Sequence, residues 1–227
     1  MNITIINGSP KPIGFTHQSL DIVASYLKEK NVKIAYIKLA DKHIDDCIGC
    51  FTCLKTGKCV LNDDVEGIIQ TMLESDGFVV GSPVRNAHIT ACFKKFIERI
   101  TYILGFTLDL ENKYTMGISS VGYLGGKSAT KTFCCLQSIF HTHLSRFVFS
   151  SVGIPTRPNV VKTKSRLLKG ADKLTQDISN HRERPLHDKI SFLIDRIIVR
   201  KFMLQKHPEV YANVIKSWKS KGYMTTK

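Results

Sequence analysis

The stretch NITIINGSPKPIGFTHQSLDIVASYLKEK (residues 2–30) decides the fold. It opens with a short β-branched run at 2–7, which leads into a loop rich in glycine and proline at 8–14. Apolar side chains then recur at helical spacing: Leu20, Val23, Ala24 and Leu27. These patterns predict a strand, a loop and a helix in that order.

The same alternation continues along the chain. Further strands are predicted at 32–39, 77–82, 114–121 and 147–154. Helices are predicted from Asp63 or Asp64 to Leu73, at 89–104 and at 127–140. Parallel strands need crossover connections, and right-handed crossovers place helices on both faces of the sheet. The sequence therefore predicts an α/β fold with a doubly wound sheet of five parallel strands.

The pattern changes to polar, basic helix beyond Pro155. Residues 1–156 carry a charge balance of +3, whereas residues 157–227 carry +11. We therefore divide the chain into a sheet domain, 1–156, and a basic helical C-terminal extension, 157–227. No groove-reading motif accompanies the positive charge, so nucleic acid is not an expected partner and the charge is interpreted as a solvated helix face.

The extension is predicted to contain helices at about 170–184, 186–205 and 208–222. The middle one is amphipathic, with an apolar stripe formed by Ile190, Ile194, Ile197 and Ile198. Such a stripe is expected to pack on the sheet domain or on a second subunit rather than on a membrane.

Composition indicates a cytoplasmic protein without a membrane partner. The 227 residues are 43% hydrophobic, which is enough to bury a full core. The start MNITIINGSP lacks the pattern of an export signal, and no uncharged apolar run approaches the roughly 18 residues that span a bilayer. Seven cysteines, four of them clustered, suit a reducing compartment.

Ligands of such sheets bind at the carboxyl ends of the strands, which makes the first loop important. The loop at 7–16 has neither the glycine fingerprint of dinucleotide folds nor that of nucleotide hydrolases. Its hydroxyls (Ser9 and Thr16), the Lys11 ammonium and a helix start together suit a phosphate monoester. The alternative is an ordinary turn before a helix.

Two further loops are predicted to converge on the same edge. The loop at 81–89 ends one strand and opens a helix, and the loop at 119–128 contains three glycines. Glycine lets backbone approach a flat ligand closely, and backbone amides can hydrogen-bond a ring. A phosphate loop beside two such loops fits flavin mononucleotide (FMN) better than free phosphate.

The segment CIGCFTCLKTGKC (47–59) has the spacing C-x2-C-x2-C-x5-C. This spacing is close to that of ferredoxins except in its last gap, and structural zinc sites separate their cysteine pairs more widely. The spacing favours a [4Fe–4S] cluster, with free or structural thiols and zinc as the alternatives. The other three cysteines, Cys92, Cys134 and Cys135, lie in helical patterns and are expected in the core.

Four stretches of the chain resemble the NADPH-dependent FMN reductases of flavodoxin-like fold, and in particular their iron–sulfur flavoprotein branch. They are GSPKPIGFT (8–16), CIGCFTCLKTGKCVLNDDV (47–65), DGFVVGSPV (76–84) with the following FKKFIER (93–99), and GYLGG (122–126). The resemblance covers roughly residues 1–150.

The resemblance implies a set of cofactor-binding residues. The residues expected to hold the FMN phosphate are Ser9, Lys11, Thr16 and His17. Those expected to border the isoalloxazine are Pro83, Val84, Arg85, Asn86, Ala87, Ser119, Gly122, Gly125 and Gly126. Those expected to ligate the cluster are Cys47, Cys50, Cys53 and Cys59.

The sequence also departs from the family pattern. Family members usually carry Arg where Lys11 stands, Asn where Phe15 stands, and aromatic residues where Arg85 and Asn86 stand. Lys11 keeps the charge but loses the bidentate geometry of a guanidinium. Without the aromatic residues, the substrate side of the flavin is expected to be more open and more cationic.

These features predict an FMN-dependent NAD(P)H oxidoreductase. Electrons would pass from a reduced nicotinamide or an electron carrier, through FMN and the cluster, to a small-molecule or protein acceptor. The enzymatic alternative is a cluster-free FMN or quinone reductase, and the non-enzymatic one is a redox-responsive carrier or regulator that docks an acidic partner through its basic tail. No catalytic acid or base is assigned, and a homo-oligomer is expected by analogy.

Overall fold

Five parallel strands form the centre of the computed structural model, which describes residues 1–152 and 161–224. The strands are β1 (Asn2–Asn7), β2 (Lys33–Lys38), β3 (Gly77–Pro83), β4 (Tyr114–Val121) and β5 (His143–Ser151). They are arranged in the order β2-β1-β3-β4-β5, and every neighbouring pair is parallel. This order is the flavodoxin-like one, so the predicted fold class is confirmed.

Helices cover both faces of the sheet. They are α1 (Phe15–Glu29), α2 (Thr52–Thr56), α3 (Val65–Leu73), α4 (Ala91–Ile100), α5 (Lys127–Cys134), α6 (Gln137–Phe140), α7 (Val161–Ser179), α8 (Leu186–Val199) and α9 (Ala212–Ser220). The β1 side chains alternate between the two faces because strand residues have a period of two. Ile3 and Ile5 pack with α1 and α7, whereas Ile6 packs with α3 and α4.

Several predicted boundaries differ from the structure, among them those of the helix predicted at about 170–184, which is α7 and spans Val161–Ser179. Strand β5 begins at His143, four residues before the predicted start, because His143, Leu144 and Arg146 already pair with β4 at an edge of the sheet. The helix predicted at 127–140 is interrupted by Leu136, whose φ of 53° ends α5. The helix predicted at 89–104 passes into a π-helical turn, Thr101–Gly105.

The C-terminal helices contribute to two apolar clusters, one against the sheet and one beside the cysteine segment. Helix α7 belongs to the core of the sheet, since its Leu167, Ala171 and Leu174 are fully buried against α1. The boundary predicted between 156 and 157 and the predicted end of β5 lie outside the described residues. Among those residues, no helix combines the length and the apolar character that crossing a bilayer requires.

The second of these clusters joins the C-terminal helix α9 to the cysteine segment. Leu54 of α2 packs with Val214 and Trp218 of α9, together with Leu108 and Leu204. The Trp218 indole also donates a hydrogen bond to the Phe106 carbonyl at 2.7 Å. Helix α9 therefore supports the segment that carries the clustered cysteines. It starts at Ala212 rather than at Pro208, which lies in a preceding turn.

We expect Trp218→Ala to lower the free energy of unfolding by about 3–5 kcal/mol, because it removes a fully buried aromatic side chain. Urea unfolding followed by circular dichroism measures the effect. The neighbouring Lys219 is exposed, so Lys219→Ala should stay within about 0.5 kcal/mol of the wild type. Equal losses in the two variants would contradict the supporting role of α9.

Candidate functional site

The loops after β1, β3 and β4 meet at the carboxyl edge of the sheet. The Gly8 amide donates to the Gly81 carbonyl at 2.7 Å, which joins the first loop to the second. The Val84 amide donates to the Ser120 carbonyl at 2.7 Å, which joins the second loop to the third. The predicted convergence of the three loops is therefore observed.

The first loop, Gly8 to Gly14, is shaped by the buried side chain of Asn7. Asn7 Oδ1 accepts a hydrogen bond from the Ser9 amide at 2.9 Å, and Ser9 Oγ accepts one from the Lys11 amide at 3.3 Å. Ser9 is buried, whereas the Lys11 side chain is exposed. Gly14 provides no side-chain cap for α1, and the first turn contains no acidic residue. The helix start is therefore suited to an anion.

The next two predicted phosphate residues lie at the start of α1. Thr16 is 2% exposed, and its hydroxyl lies 3.3 Å from Ser120 Oγ in the third loop. His17 is engaged on both ring nitrogens, with Nδ1 at 2.9 Å from Asn7 Nδ2 and Nε2 at 3.2 Å from Asp21 Oδ2. His17 thus contacts the first loop through Asn7.

The second loop turns tightly between Arg85 and His88, whose amides and carbonyls exchange two hydrogen bonds of 2.8 Å. Asn86 and Ala87 between them have φ values of 46° and 61°, in the left-handed region that favours glycine. Residues 85–88 are exposed, while Pro83 and Val84 are buried. The rim predicted to border the isoalloxazine is therefore open and carries the Arg85 cation.

The third loop closes against the second. Ser119 is fully buried and donates to the Ser82 carbonyl at 2.8 Å. Gly126 has a φ of 71°, and a Cβ there would lie only 2.4 Å from Val84 Cγ1. Gly126 is therefore needed for both conformation and space. Gly122 and Gly125 lie in the same loop, beside the exposed side chains of Tyr123 and Leu124.

The cysteine loop, residues 45–63, lies on the side of the sheet covered by α4. Cys50 is exposed, whereas Cys47, Cys53 and Cys59 are partly buried. Cys53 lies in the short helix α2, which starts after Phe51 and ends at Gly57, both with positive φ. A cavity of about 210 Å³ adjoins the end of this loop and is lined in part by Cys59, Asp63 and Arg99.

The surroundings of Cys53 and Cys50 act on their thiols in opposite directions. Burial raises the pKa of Cys53 to about 11, and the nearby charges of Cys59, Cys50 and Cys47 add to this effect. Hydrogen bonding to Thr52 lowers the pKa of Cys50. Among residues 1–152 and 161–224, no three histidine, cysteine or acidic side chains are arranged as a ready metal site.

Comparison with known proteins identifies the fold and the loops together. The family described as NADPH-dependent FMN reductase matches residues 1–151, which contain all three loops and the cysteine loop. The chain belongs to this family. The NADPH-dependent FMN reductase family is one of flavin oxidoreductases, which agrees with the resemblance stated from the sequence.

The relatives found by sequence are iron–sulfur flavoproteins by name. One from Clostridioides difficile is 30% identical over 229 residues, which covers 98% of this chain and 99% of the relative. One from Methanocaldococcus jannaschii is 37% identical over 144 residues, which covers 63% of this chain and 73% of the relative. The first match includes the C-terminal helices, so the family likeness extends beyond the sheet domain.

Solved structures of the same fold have low sequence identity to this FMN reductase family member. An NAD(P)H:quinone oxidoreductase from Methanothermobacter marburgensis has a TM-score of 0.60 at 13% identity, with 82% of this chain and 99% of that chain covered. The apo form of an NADH:FMN oxidoreductase has a TM-score of 0.55 at 18% identity, with 81% and 91% covered. At these identities the structures support the fold alone.

Both cofactors that these names suggest fit the residues present. An uncapped helix start beside Ser9 and the exposed Lys11 fits an anionic phosphate group. Four thiols within thirteen residues fit iron–sulfur ligation by the chemistry of the donor set. A buried donor also lies beside them, since the Arg99 Nε is buried without a hydrogen-bond partner among the described residues.

Sequence reasoning missed three residues at these sites. Asn7 orders the first loop, Thr90 donates to the Gly8 carbonyl at 2.5 Å and caps α4, and Arg99 lies 3.4 Å from Cys59 Sγ through Nη2. The position of Asn7 at the end of a strand was the available signal for it. Arg99 gave none, because arginine on a surface helix is normally exposed. Cys92 was expected in the core but is only partly buried, beside Gly8.

Proposed function

We propose that this protein is an iron–sulfur flavoprotein that oxidises a reduced nicotinamide or electron carrier and delivers electrons to a small-molecule or protein acceptor. The observation that carries the proposal is the position of α4 between the two candidate sites. This helix is capped by Thr90, at the end of the second loop. Its later side chains Lys95 and Arg99 contact the cysteine loop at Asp46 and Cys59. One rigid element would thus hold the two cofactors in a fixed relation.

The FMN site would be formed by the three loops. Ser9, Lys11 and Thr16 would bind the phosphate with the first amides of α1, because these groups combine charge, hydroxyls and an uncapped helix start. His17 would act through Asn7, which it contacts at 2.9 Å. The turn from Pro83 to Ala87 and the loop from Ser119 to Gly126 would border the ring.

When bound, FMN supplies hydride acceptance and one-electron release, and a [4Fe–4S] cluster supplies one-electron transfer. The chain supplies binding and orientation. The exposed side chains at 85–88 leave the ring side accessible, and the Arg85 cation would favour an anionic co-substrate such as NAD(P)H. No side chain is assigned as an acid or base.

The cluster would be bound by Cys47, Cys50, Cys53 and Cys59. Two observations support this assignment: their ferredoxin-like spacing and the name of the relative that matches over nearly its full length. Binding would require the thiols to deprotonate and turn toward a common centre. The alternative, a cluster-free NAD(P)H-dependent FMN or quinone reductase, would leave these cysteines as thiols.

We also propose that the exposed face of α8 is covered by a second copy of the chain. Six of its apolar side chains are 39–73% exposed: Leu186, Ile190, Leu193, Ile194, Ile197 and Ile198. Each of these side chains exposes on the order of 100 Å² of surface, so together they offer on the order of 600 Å² per copy. A standard interface buries ~800 Å² per partner. An apolar face of this size lies at the upper end of what a monomer usually leaves in water.

Lys11→Ala should weaken FMN binding by roughly ten- to a hundred-fold, because a charge-assisted contact contributes about 1.5–3 kcal/mol. Titration of the apoprotein with FMN and with riboflavin, followed by flavin fluorescence, measures the effect. Riboflavin has no phosphate, so its affinity should hardly change. The control variant Lys11→Arg keeps the positive charge and should bind FMN about as tightly as the wild type. Equal losses for the two flavins would remove Lys11 from the phosphate site.

Cys53→Ser should abolish or destabilise the cluster while FMN stays bound, because the two sites are built on different loops. Iron, acid-labile sulfide and FMN are measured on protein made anaerobically with iron and sulfide supplied. Cys92→Ser is the matched control, since it makes the same change outside the cysteine loop. Wild-type iron and sulfide content in Cys53→Ser would rule Cys53 out as a ligand.

Ile194→Asp should convert an oligomeric wild type into monomer, because it buries an unpaired carboxylate in the proposed interface. Light scattering coupled to size-exclusion chromatography gives the mass. Ser191→Asp adds the same charge on the same helix outside the apolar stripe and should leave the mass unchanged. A monomeric wild type would contradict the proposal, and binding of that monomer to anionic vesicles would assign the face to a membrane surface instead.

A further inference from the structure

A buried ion pair lies at the base of the cysteine loop. The side chains of Asp63 and Arg99 are each 1% exposed, and their charged groups meet in a two-pronged contact. Arg99 Nη1 donates to Asp63 Oδ2 at 2.5 Å, and Arg99 Nη2 donates to Asp63 Oδ1 at 3.2 Å. This bidentate geometry is specific to a guanidinium, and a lysine cannot reproduce it.

The pair fastens both ends of the loop to one point. At the start of the loop, the Asp45 amide donates to Asp63 Oδ2 at 2.8 Å and the Asp45 carbonyl accepts from Arg99 Nη1 at 2.9 Å. At the end of the loop, Asp63 Oδ1 accepts from the Val65 amide at 3.0 Å, at the start of α3. The nineteen residues between Asp45 and Val65, which include the four clustered cysteines, are thereby closed into a loop by the pair.

Two further hydrogen bonds join the ends of the cysteine loop. The His43 amide donates to Asp64 Oδ2 at 2.8 Å, and the Asp64 amide donates to the His43 carbonyl at 3.0 Å. Because these bonds also join the two ends of the loop, the entry and exit of the cysteine segment are fixed relative to each other.

Arg99 also reaches a thiol directly. Its Nη2 lies 3.4 Å from Cys59 Sγ, and its Nε–H is buried with no hydrogen-bond partner in the described part of the chain. A buried donor without a partner is costly, and an anionic group beside it would relieve that cost. The thiolate of Cys59 and the sulfur atoms of a cluster are acceptors of this kind.

The contact is one between opposite charges. A guanidinium is protonated at any pH at which proteins are studied, and Asp63 meets that of Arg99 through both carboxylate oxygens. Arg99 therefore places a buried positive charge beside the cysteine loop.

We propose that Arg99 is a positioning residue for the iron–sulfur cluster, which holds Cys59 in place as the fourth ligand and offsets the negative charge of the bound cluster. The inference rests on the proposed function. It goes further by assigning the retention and the potential of the cluster to a residue outside the cysteine motif.

The test compares Arg99→Gln, Arg99→Lys and the control Lys94→Gln, which removes an exposed charge from the same helix. Each full-length protein is loaded anaerobically with FMN, ferrous iron and sulfide. The readouts are FMN content, the rate of iron loss to a chelator and the midpoint potential of the cluster. Retained FMN shows that the variant has folded.

Arg99→Gln should lose iron at least about ten-fold faster than the wild type, as is usual when a partner of a metal ligand is removed. Its midpoint potential should fall, because a nearby positive charge favours the reduced cluster. Arg99→Lys should keep a midpoint potential near that of the wild type, because it retains the positive charge. It should still lose iron faster, because lysine cannot make the bidentate contact with Asp63. Lys94→Gln should match the wild type in both measurements.

Wild-type iron loss and potential in Arg99→Gln would overturn the proposal. If Arg99→Gln fails to hold FMN, Arg99→Lys decides: faster iron loss supports the proposal, and an unchanged rate overturns it. If the wild type itself takes up no iron, the cluster assignment fails separately. Trypsin then tests the positioning alone, since cleavage after Lys55 and Lys58 should be several-fold faster in Arg99→Gln, and unchanged cleavage overturns it.

Discussion

The parallel direction of the five strands is the constraint on which the rest of the structure depends. Parallel strands place all their carboxyl ends at one edge, so loops that are far apart in sequence become neighbours there. The Gly8 amide reaches the Gly81 carbonyl, and the Val84 amide reaches the Ser120 carbonyl, both at 2.7 Å. The three loops are thus joined by backbone hydrogen bonds, and the small residues in them let the backbones approach closely.

The second organising element is helix α4. Its start is tied to the first loop through the Thr90 hydroxyl, and its last turn holds the cysteine loop through Arg99. The C-terminal helix α9 supports the same loop from the other side, where Trp218 packs with Leu54. A segment with little regular structure of its own is therefore held between two helices, which is what a preorganised cofactor site requires.

The sequence predicted the sheet, its class and the loops that meet at its edge, because β-branched runs and helical periodicity are local signals. It also drew attention to the clustered cysteines, because spacing is visible in a sequence. It could not predict the buried Asp63–Arg99 pair, since both residue types are normally exposed and their contact joins positions 36 residues apart. Polar residues were missed in the same way where their partners lie elsewhere in the fold. His143 at the start of an edge strand was predicted to lie in a loop, and the contacts of His17 with Asn7 and Asp21 were not predicted.

The central claim is that one fold carries FMN at its strand ends and an iron–sulfur cluster in the loop beside α4. The most direct measurement is the content of FMN, iron and acid-labile sulfide in wild-type protein purified under anaerobic conditions. The account predicts about four iron and about four sulfide atoms for each FMN. Protein that contains FMN but neither iron nor sulfide, even after both are supplied, would contradict it.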